Sequence, residues 1–186
     1  PTVERIAFVD DNGAARAGFL VETWSVKHNQ LDHTLVDGRG NIVSVERRTA
    51  NDSYLVFTND PSKGPQTTVL GPTAGDANSP VGWLSTSGQT TINLLGNNAH
   101  AYLDKDANNS PDLGGTVVST GDFTSVADLS VSPTSTSNLA VGVQNLFYLN
   151  NIVHDLLYRH GFNEQAGNFQ ADNFGKGGLG NDAVNA

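Results

Sequence analysis

Cysteine is absent from all 186 residues, which excludes a disulfide framework, a thiolate nucleophile and a Cys-ligated zinc. Methionine is absent too. A translated chain begins with Met, so one that opens at Pro1 is expected to be a processed or trimmed length of a longer product. The closing "GNDAVNA" has neither a helix cap nor a charged tail and reads as a loop cut in passing. Basic residues are scarce: 10 Lys plus Arg against 19 Asp plus Glu leave a net charge of -9. That charge repels phosphate backbones and anionic headgroups, which argues against nucleic acid and membrane as partners. No apolar run approaches the roughly 20 residues that cross a bilayer. The opening "PTVERIAFVDDNG" lacks the charged-then-apolar layout of a signal peptide. What is present is 37% hydrophobic content, enough for one ordinary core or two small ones, in a composition that suits a soluble, secreted protein.

From Ile6 to Val56 apolar stretches alternate with turns. Asp11-Asn12-Gly13, and Asp37-Gly38 with Gly40, supply residues that tolerate the positive φ of tight hairpins. Antiparallel strands are predicted near 5–9, 17–26, 32–36 and 41–48. Residues 58–92 are rich in Pro, Gly, Ser and Thr and read as a linker or an extended surface passage with short strands at best, with a boundary near 50–60. Residues 96–138 are again polar and loop-rich, with a short strand predicted at 99–103 and a Ser/Thr cluster, "SVSPTSTSN", after it.

A helix is predicted over about 139–160. Leu139, Val143, Leu146, Phe147, Leu149, Ile152, Val153, Leu156 and Leu157 recur at three- and four-residue spacing, which places them on one wide face. On this reading the helix is buried, and Val153 and Leu156 belong to its core face. Ser137 or Asn138 would cap its start, and Gly161 followed by Phe162 fits a left-handed stop. Asp155 near the C-terminal end is electrostatically unfavourable, so Arg159 or loop amides are expected to hold it. The loop beyond holds six Gly in 22 residues, so its order is expected from side-chain amides and packed Phe residues.

Little of this is catalytic machinery. A zinc helix of the H-E-x-x-H type presents two imidazoles one turn apart with a Glu beside them, and no such run occurs. None of His28, His33, His100, His154 and His160 is followed by Glu. His154 and His160, six residues apart, sit about 120° out of line on a helix and cannot share a metal from one face. His154 is read as a structural residue hydrogen-bonded beneath the Gly-rich loop, with a ligand role as the alternative. No G-x-S-x-G occurs, and "GKGGLG" lacks the ending of a phosphate loop. One constellation does suggest a metal. "DKDANNSPD" puts Asp104, Asp106, Asn108 and Asp112 at relative positions 1, 3, 5 and 9, the alternation by which a calcium loop aims oxygens inward. It lacks the Gly at position 6 and the Glu at position 12, so a plain polar turn stands beside calcium as a reading. Sequons for N-glycosylation occur at Asn51 and Asn108.

The run "NLFYLNNIVHDLLYRHGFNEQAGNFQADNFGKGGLGNDAV" closely resembles the fungalysin family of secreted zinc metalloendopeptidases, whose catalytic domains carry F-Y-x-N-N-x-x-H-D-x-x-Y-x-x-G-F-x-E-x-x-G-N-F-Q. Phe147, Tyr148, Asn150, Asn151, His154, Asp155, Tyr158, Gly161, Phe162, Glu164, Gly167, Asn168, Phe169 and Gln170 match it position by position. Earlier, "NDPSKGPQTTV", "SPVGW" and "GNNAHAYLD" resemble the start of the same domain, and "FLVETWSV" with "HTLVDGRGNIVSVERRT" resembles the last strands of the inhibitory propeptide.

The resemblance implies an α+β fold, antiparallel and β-rich with one long buried helix, forming the N-terminal portion of a thermolysin-like catalytic domain. Residues 1–57 would be the C-terminal strands of a propeptide, and 58–186 an incomplete catalytic domain. The parent would be an extracellular enzyme that hydrolyses internal peptide bonds of proteins, with zinc and its ligands in the downstream part of the same precursor, which is then this chain's partner. No residue here takes a catalytic or zinc-binding role on that reading. His154, Asp155, Tyr158, Glu164, Asn168, Asn181 and Asp182 are expected to support the cleft. The competing class is a secreted non-catalytic binding, structural or inhibitory module.

Overall fold

The computed structural model describes residues 1–10, 12–25, 30–47, 52–73, 75–85, 88–115 and 121–186. The chain divides into two compact units, Pro1–Ala50 and Asn51–Ala186.

The first unit is a four-stranded antiparallel sheet of β1 (Thr2–Val9), β2 (Ala15–Ser25), β3 (Gln30–Asp37) and β4 (Ile42–Arg47), in that order. Its turns are built by two aspartates. Asp10 accepts from the amides of Asn12 and Ala14 and from Arg16 Nε. Asp37 accepts from the amides of Arg39 and Asn41 and from the Asn41 side chain. Such Asx geometry closes a hairpin without help from a core, and the core is thin: among the described residues of this unit only Gly18 is buried. A Cβ at Gly18 would strike the Val36 carbonyl and the Phe8 ring, so the strands close over a residue without a side chain. Asp11, Val26, His28 and Arg48 lie outside the described residues, as does Asn51 with its sequon.

The second unit holds two small sheets and a helix. β5 (Ser53–Val56) lies between antiparallel β6 (Thr67–Leu70) and parallel β9 (Asp122–Phe123). β8 (Ala99–Tyr102) lies between antiparallel β7 (Asn93–Leu95) and parallel β10 (Val184–Asn185). These two parallel pairings depart from the antiparallel expectation. Each is a two-residue ladder made by a loop returning alongside an established strand. The helix α1 (Thr136–Arg159) packs on β5, β7 and β8. Tyr54, Trp83, Leu94, Phe123, Val143 and Phe147 form the centre of the core. The Tyr54 ring stacks on Phe123 at 5.2 Å and meets Phe147 at 5.7 Å.

Residues 58–92 are not a linker or a surface passage. The short strand β6 fits that reading, but the stretch also contributes the buried Ser79 and Trp83, with Asp76 turning the chain through the amides of Asn78 and Ser79. Pro, Gly and Ser mark irregular backbone, and irregular backbone can be laid into a core when side chains satisfy its amides.

The helix is where the structure departs most from the sequence reading. It starts earlier, with Ser135 at the cap position and no side-chain cap bond; Asn138 instead accepts from the Asp128 amide. It stops as predicted: Gly161 takes φ +95°, and the amides of Gly161 and Phe162 bond back to Tyr158 and Leu157. Its buried residues are Ala140, Val141, Val143, Gln144, Phe147, Tyr148, Asn151 and Asp155. Leu146, Leu149, Val153, Leu156 and Leu157 are 41–51% exposed, so Val153 and Leu156 are not core and α1 is buried on one side only. Three- and four-residue spacing identifies a stripe, but this helix has two: a purely apolar one, left open, and one carrying Gln144, Asn151 and Asp155, which is buried because each polar group finds a partner. No helix among the described residues is long and apolar enough to cross a membrane.

Candidate functional site

The motif residues meet at the C-terminal half of α1. Asp155 Oδ1 accepts from Ser79 Oγ at 2.7 Å and its Oδ2 from Trp83 Nε1 at 2.8 Å. His154 Nδ1 lies 3.0 Å from Oδ1 and completes the set. The expectation that Arg159 or loop amides hold Asp155 is therefore corrected: Arg159 donates to the Asp155 backbone carbonyl, and the carboxylate is held from the 79–83 segment. Burial works against the charge of Asp155, but the donors from His154, Ser79 and Trp83 together outweigh it and hold the carboxyl below its usual range.

Amides extend this contact on both sides. Asn98 Nδ2 lies 3.0 Å from both Ser79 Oγ and Asn151 Oδ1, and Asn151 in turn donates to the Phe147 carbonyl. On the loop side, Asn168 Nδ2 reaches His154 Nε2 at 3.4 Å and Gln170 Oε1 at 2.9 Å. The Gln170 amide donates to Asp182 Oδ1, and the Asn181 amide to the Ala171 carbonyl, which folds the chain end back along the loop. His154 thus stands between Asp155 and the Gly-rich loop, with both ring nitrogens engaged.

A second clamp fastens that loop. Tyr158 Oη donates to the buried Glu164 Oε2 at 2.9 Å, and Lys176 Nζ lies 2.9 Å from Tyr158 Oη and 3.0 Å from Glu164 Oε1. Burial opposes ionisation of Glu164, but its own backbone amide, Lys176 and Tyr158 prevail and lower its pKa. Lys176 is raised by the Tyr158 hydroxyl and by Glu164. Gly178, at φ +72°, passes so close to the Glu164 carbonyl that any Cβ would overlap it.

The acidic loop lies elsewhere on the second unit. Ligand atoms of Asp104, Asp106 and Asp112 come within 4.8 Å of one another. Their oxygens also serve as turn acceptors. Asp104 takes the amides of Asn108 and Asn109, Asp112 takes the amide of Lys105, and Asp106 takes the Asn108 side chain. Among the described residues this is the one group of three or more His, Cys, Asp or Glu side chains with converging donors. An all-carboxylate exposed loop is the donor set of a hard cation, so the residues present do not fit a catalytic zinc, which takes His with at most one carboxylate.

Sequence reasoning placed His154, Asp155, Tyr158, Glu164 and Asn168 in one region, and the structure joins them. It missed Ser79, Trp83, Asn98 and Asn151 as their partners. Asn151 sat in the matched motif and "SPVGW" contains Ser79 and Trp83, but neither stretch says that Trp83 meets Asp155 across a sequence separation of 72. These contacts tie the C-terminal half of α1 to the 79–83 segment and to the Gly-rich loop.

The family model described as fungalysin metallopeptidase (M36) matches residues 52–186. The chain is 33% identical to "Extracellular metalloproteinase mep" of Aspergillus flavus over 99% of its own length and 29% of the relative's. It is 35% identical to "Extracellular metalloproteinase 2" of Phaeosphaeria nodorum over 97% of the chain and 29% of that protein. With "Extracellular metalloproteinase 3" of Trichophyton rubrum the identity is 36% over 89% and 27%. The chain therefore spans under a third of the length of these curated relatives.

Proposed function

The chain belongs to the fungalysin metallopeptidase family, and from that premise we propose that it is part of a secreted, zinc-dependent metalloendopeptidase precursor, to which it supplies scaffold rather than the zinc site. The first unit is the end of the inhibitory propeptide. The second is the N-terminal part of a thermolysin-like catalytic domain. The limit read from the sequence lies at 57, and the two compact units divide at Ala50, with β5 pairing with β6 and β9 inside the second. Localisation outside the cell and protein substrates follow from the names of the relatives.

The observation that carries the reading is the pair of anchors around His154–Asp155 and Tyr158–Glu164–Lys176, built, apart from Lys176, from the matched motif residues and, among the described residues, offering no converging imidazoles. Asn168, Asn181 and Asp182 extend those anchors along the Gly-rich loop. Zinc, when bound, polarises a scissile carbonyl and its attacking water, and its ligands belong to the remaining part of the precursor. This chain's own residues hold the helix and loop in place.

The purified 186-residue chain, supplied with zinc, is expected to show no casein hydrolysis above background, whereas the full-length precursor after maturation should cleave casein and lose that activity to a zinc chelator. Chelator-sensitive turnover by the 186-residue chain, abolished by His154→Ala, would overturn the assignment.

Calcium is the second metal of this reading, at Asp104, Asp106, Asn108 and Asp112. A ligand held only by the folded state raises the melting temperature. Unglycosylated chain should melt higher in calcium than in EDTA, and coincident curves would leave the loop as a polar turn.

A further inference from the structure

Strand β8 has two unlike faces. Ala99 and Ala101 turn into the core, where α1 packs, and the alternation of a strand puts His100 and Tyr102 on the face away from it. His100 Nε2 lies 2.9 Å from the side-chain nitrogen of Asn93 on β7. A contact between two nitrogens is a hydrogen bond only if one of them accepts. The other end of the Asn93 amide decides which. Its Oδ1 takes the Thr90 backbone amide at 2.7 Å and the Thr90 hydroxyl at 2.6 Å, and a backbone N–H can only donate. The NH2 group is therefore the end turned toward the ring, and Nε2 is the acceptor. An imidazole that accepts through Nε2 is neutral and carries its proton on Nδ1. Asn93 is 4% exposed, so the contact is dry. A further hydrogen bond joins the ring to the side chain of Asn185, the residue of β10 that pairs with His100 in the parallel ladder. One tautomer of one side chain thus connects the turn at Thr90, β8 and β10.

We infer that His100 is an acid-operated latch: its neutral form ties the turn at Thr90 and β10 to β8, and a proton arriving on Nε2 forces one of the two attachments open. The charged ring aims an N–H at the Asn93 NH2. Asn93 can offer its oxygen only by turning over, which takes the acceptor from the Thr90 amide and hydroxyl. The ring can avoid the clash only by swinging away, which takes it off Asn185. Either way a donor is left without its acceptor, which is destabilising where water does not reach. The elements packed on β8 are α1, β7 and β10. Asn93 and Leu95 face the ring from β7, Asn185 faces it from β10, and Tyr102 lies along its own strand with the ring centroids 4.6 Å apart. Tyr102 is the one titratable side chain among these, and none is a carboxylate. α1 packs on the opposite face, so His154 and Asp155 do not face His100. Burial holds the His100 pKa below its ordinary 6.5 in spite of the Asn185 hydrogen bond. The unfolded chain therefore binds this proton more readily than the folded one. The contribution of the latch is complete above 6.5 and is lost as pH falls from there through the lowered native value. The latch belongs to the sheet β7–β8–β10 itself and holds whichever reaction the precursor performs.

NMR of the 186-residue chain tests the latch atom by atom. The ring nitrogens of His100, identified as the signals missing from His100→Gln, should show the Nδ1–H tautomer at neutral pH and should titrate below 6.5. Amide exchange supplies the conformational readout. Thr90 donates to Asn93 Oδ1, and Val184 and Ala186 donate to the carbonyls of Asn98 and His100. After correction for the intrinsic pH dependence of exchange, opening should increase as pH falls below 6.5, at Thr90 or at the two β10 amides according to which attachment yields. One proton limits that increase to about tenfold per pH unit. The Phe57 amide, which donates to Asn145 on α1, should stay within about twofold and serves as the reference. The side chain introduced by His100→Gln offers an acceptor and a donor without titrating, so in that variant opening at all three amides should be flat across the same window. An Nε2–H tautomer at neutral pH overturns the inference, as does a His100 titration at or above 6.5. Opening that ignores pH in the wild type, or that responds to acid equally in His100→Gln, overturns it as well. If His100→Gln does not fold, the His100 signals are assigned through backbone connectivities, and the wild-type tautomer, titration and exchange decide the matter alone.

Discussion

Replacing Asp155 by alanine is expected to destabilise the second unit by about 3–5 kcal/mol, the range found when one partner of a buried charged contact is removed. Ser79 Oγ and Trp83 Nε1 would lose their acceptor in a place that excludes water, and His154 would lose the group that orients its ring. Urea denaturation followed through Trp fluorescence reads the loss directly, since Trp83 is itself one of the donors. A change below about 1 kcal/mol, the ordinary value for a surface substitution, would mean that the carboxylate is not the anchor the geometry makes it. Acid supplies a second arm. The native pKa of Asp155 lies below its ordinary value of 3.8, so its contribution is complete above the ordinary value and is lost as pH falls through the lowered native one. The stability gap between wild type and Asp155→Asn should therefore narrow in that acid window. A gap unchanged from neutral pH down through it would contradict the assignment.

The second large effect separates the two faces of α1. Phe147 is fully buried against Tyr54, and truncation to alanine should cost about 3–5 kcal/mol. Leu156 is half exposed, and the same truncation should cost the 186-residue chain less than about 1 kcal/mol. Periodicity alone, with both residues on one core face, gives roughly 2–5 kcal/mol for Leu156. Paired denaturation curves decide between the two, and an equal loss at both positions would place the apolar stripe back in the core.

Why periodicity misled at this helix, and not in the first forty-seven residues, has a physical reason. Strands β1 to β4 are specified by local features: apolar runs, and aspartates that close their own turns through neighbouring amides. Such features are complete within a few residues and can be read without knowing the fold. The buried face of α1 is specified by distant partners. Gln144 donates to the Leu55 carbonyl, Asn151 accepts from Asn98, and Asp155 accepts from Ser79 and Trp83, so residues that look solvent-facing are interior. The same long-range dependence hid the role of residues 58–92, whose composition signals irregular backbone but not whether that backbone is buried. The family motif located the anchor residues because it samples the result of those distant contacts, though it does not say which atoms meet.

The polar face of α1 also acts as a rotational key. Leucines and valines alone could settle against two small sheets at several angles about the helix axis, since dispersion contacts have no direction. Gln144, Asn151 and Asp155 do not permit this. Turning the helix by one residue, about 100°, would strand all three groups from their partners and place aliphatic side chains against bare carbonyls and amide protons. Orientation is thus set by hydrogen bonds on one side of the cylinder and expressed on the other, where the leucine seam points in a single direction.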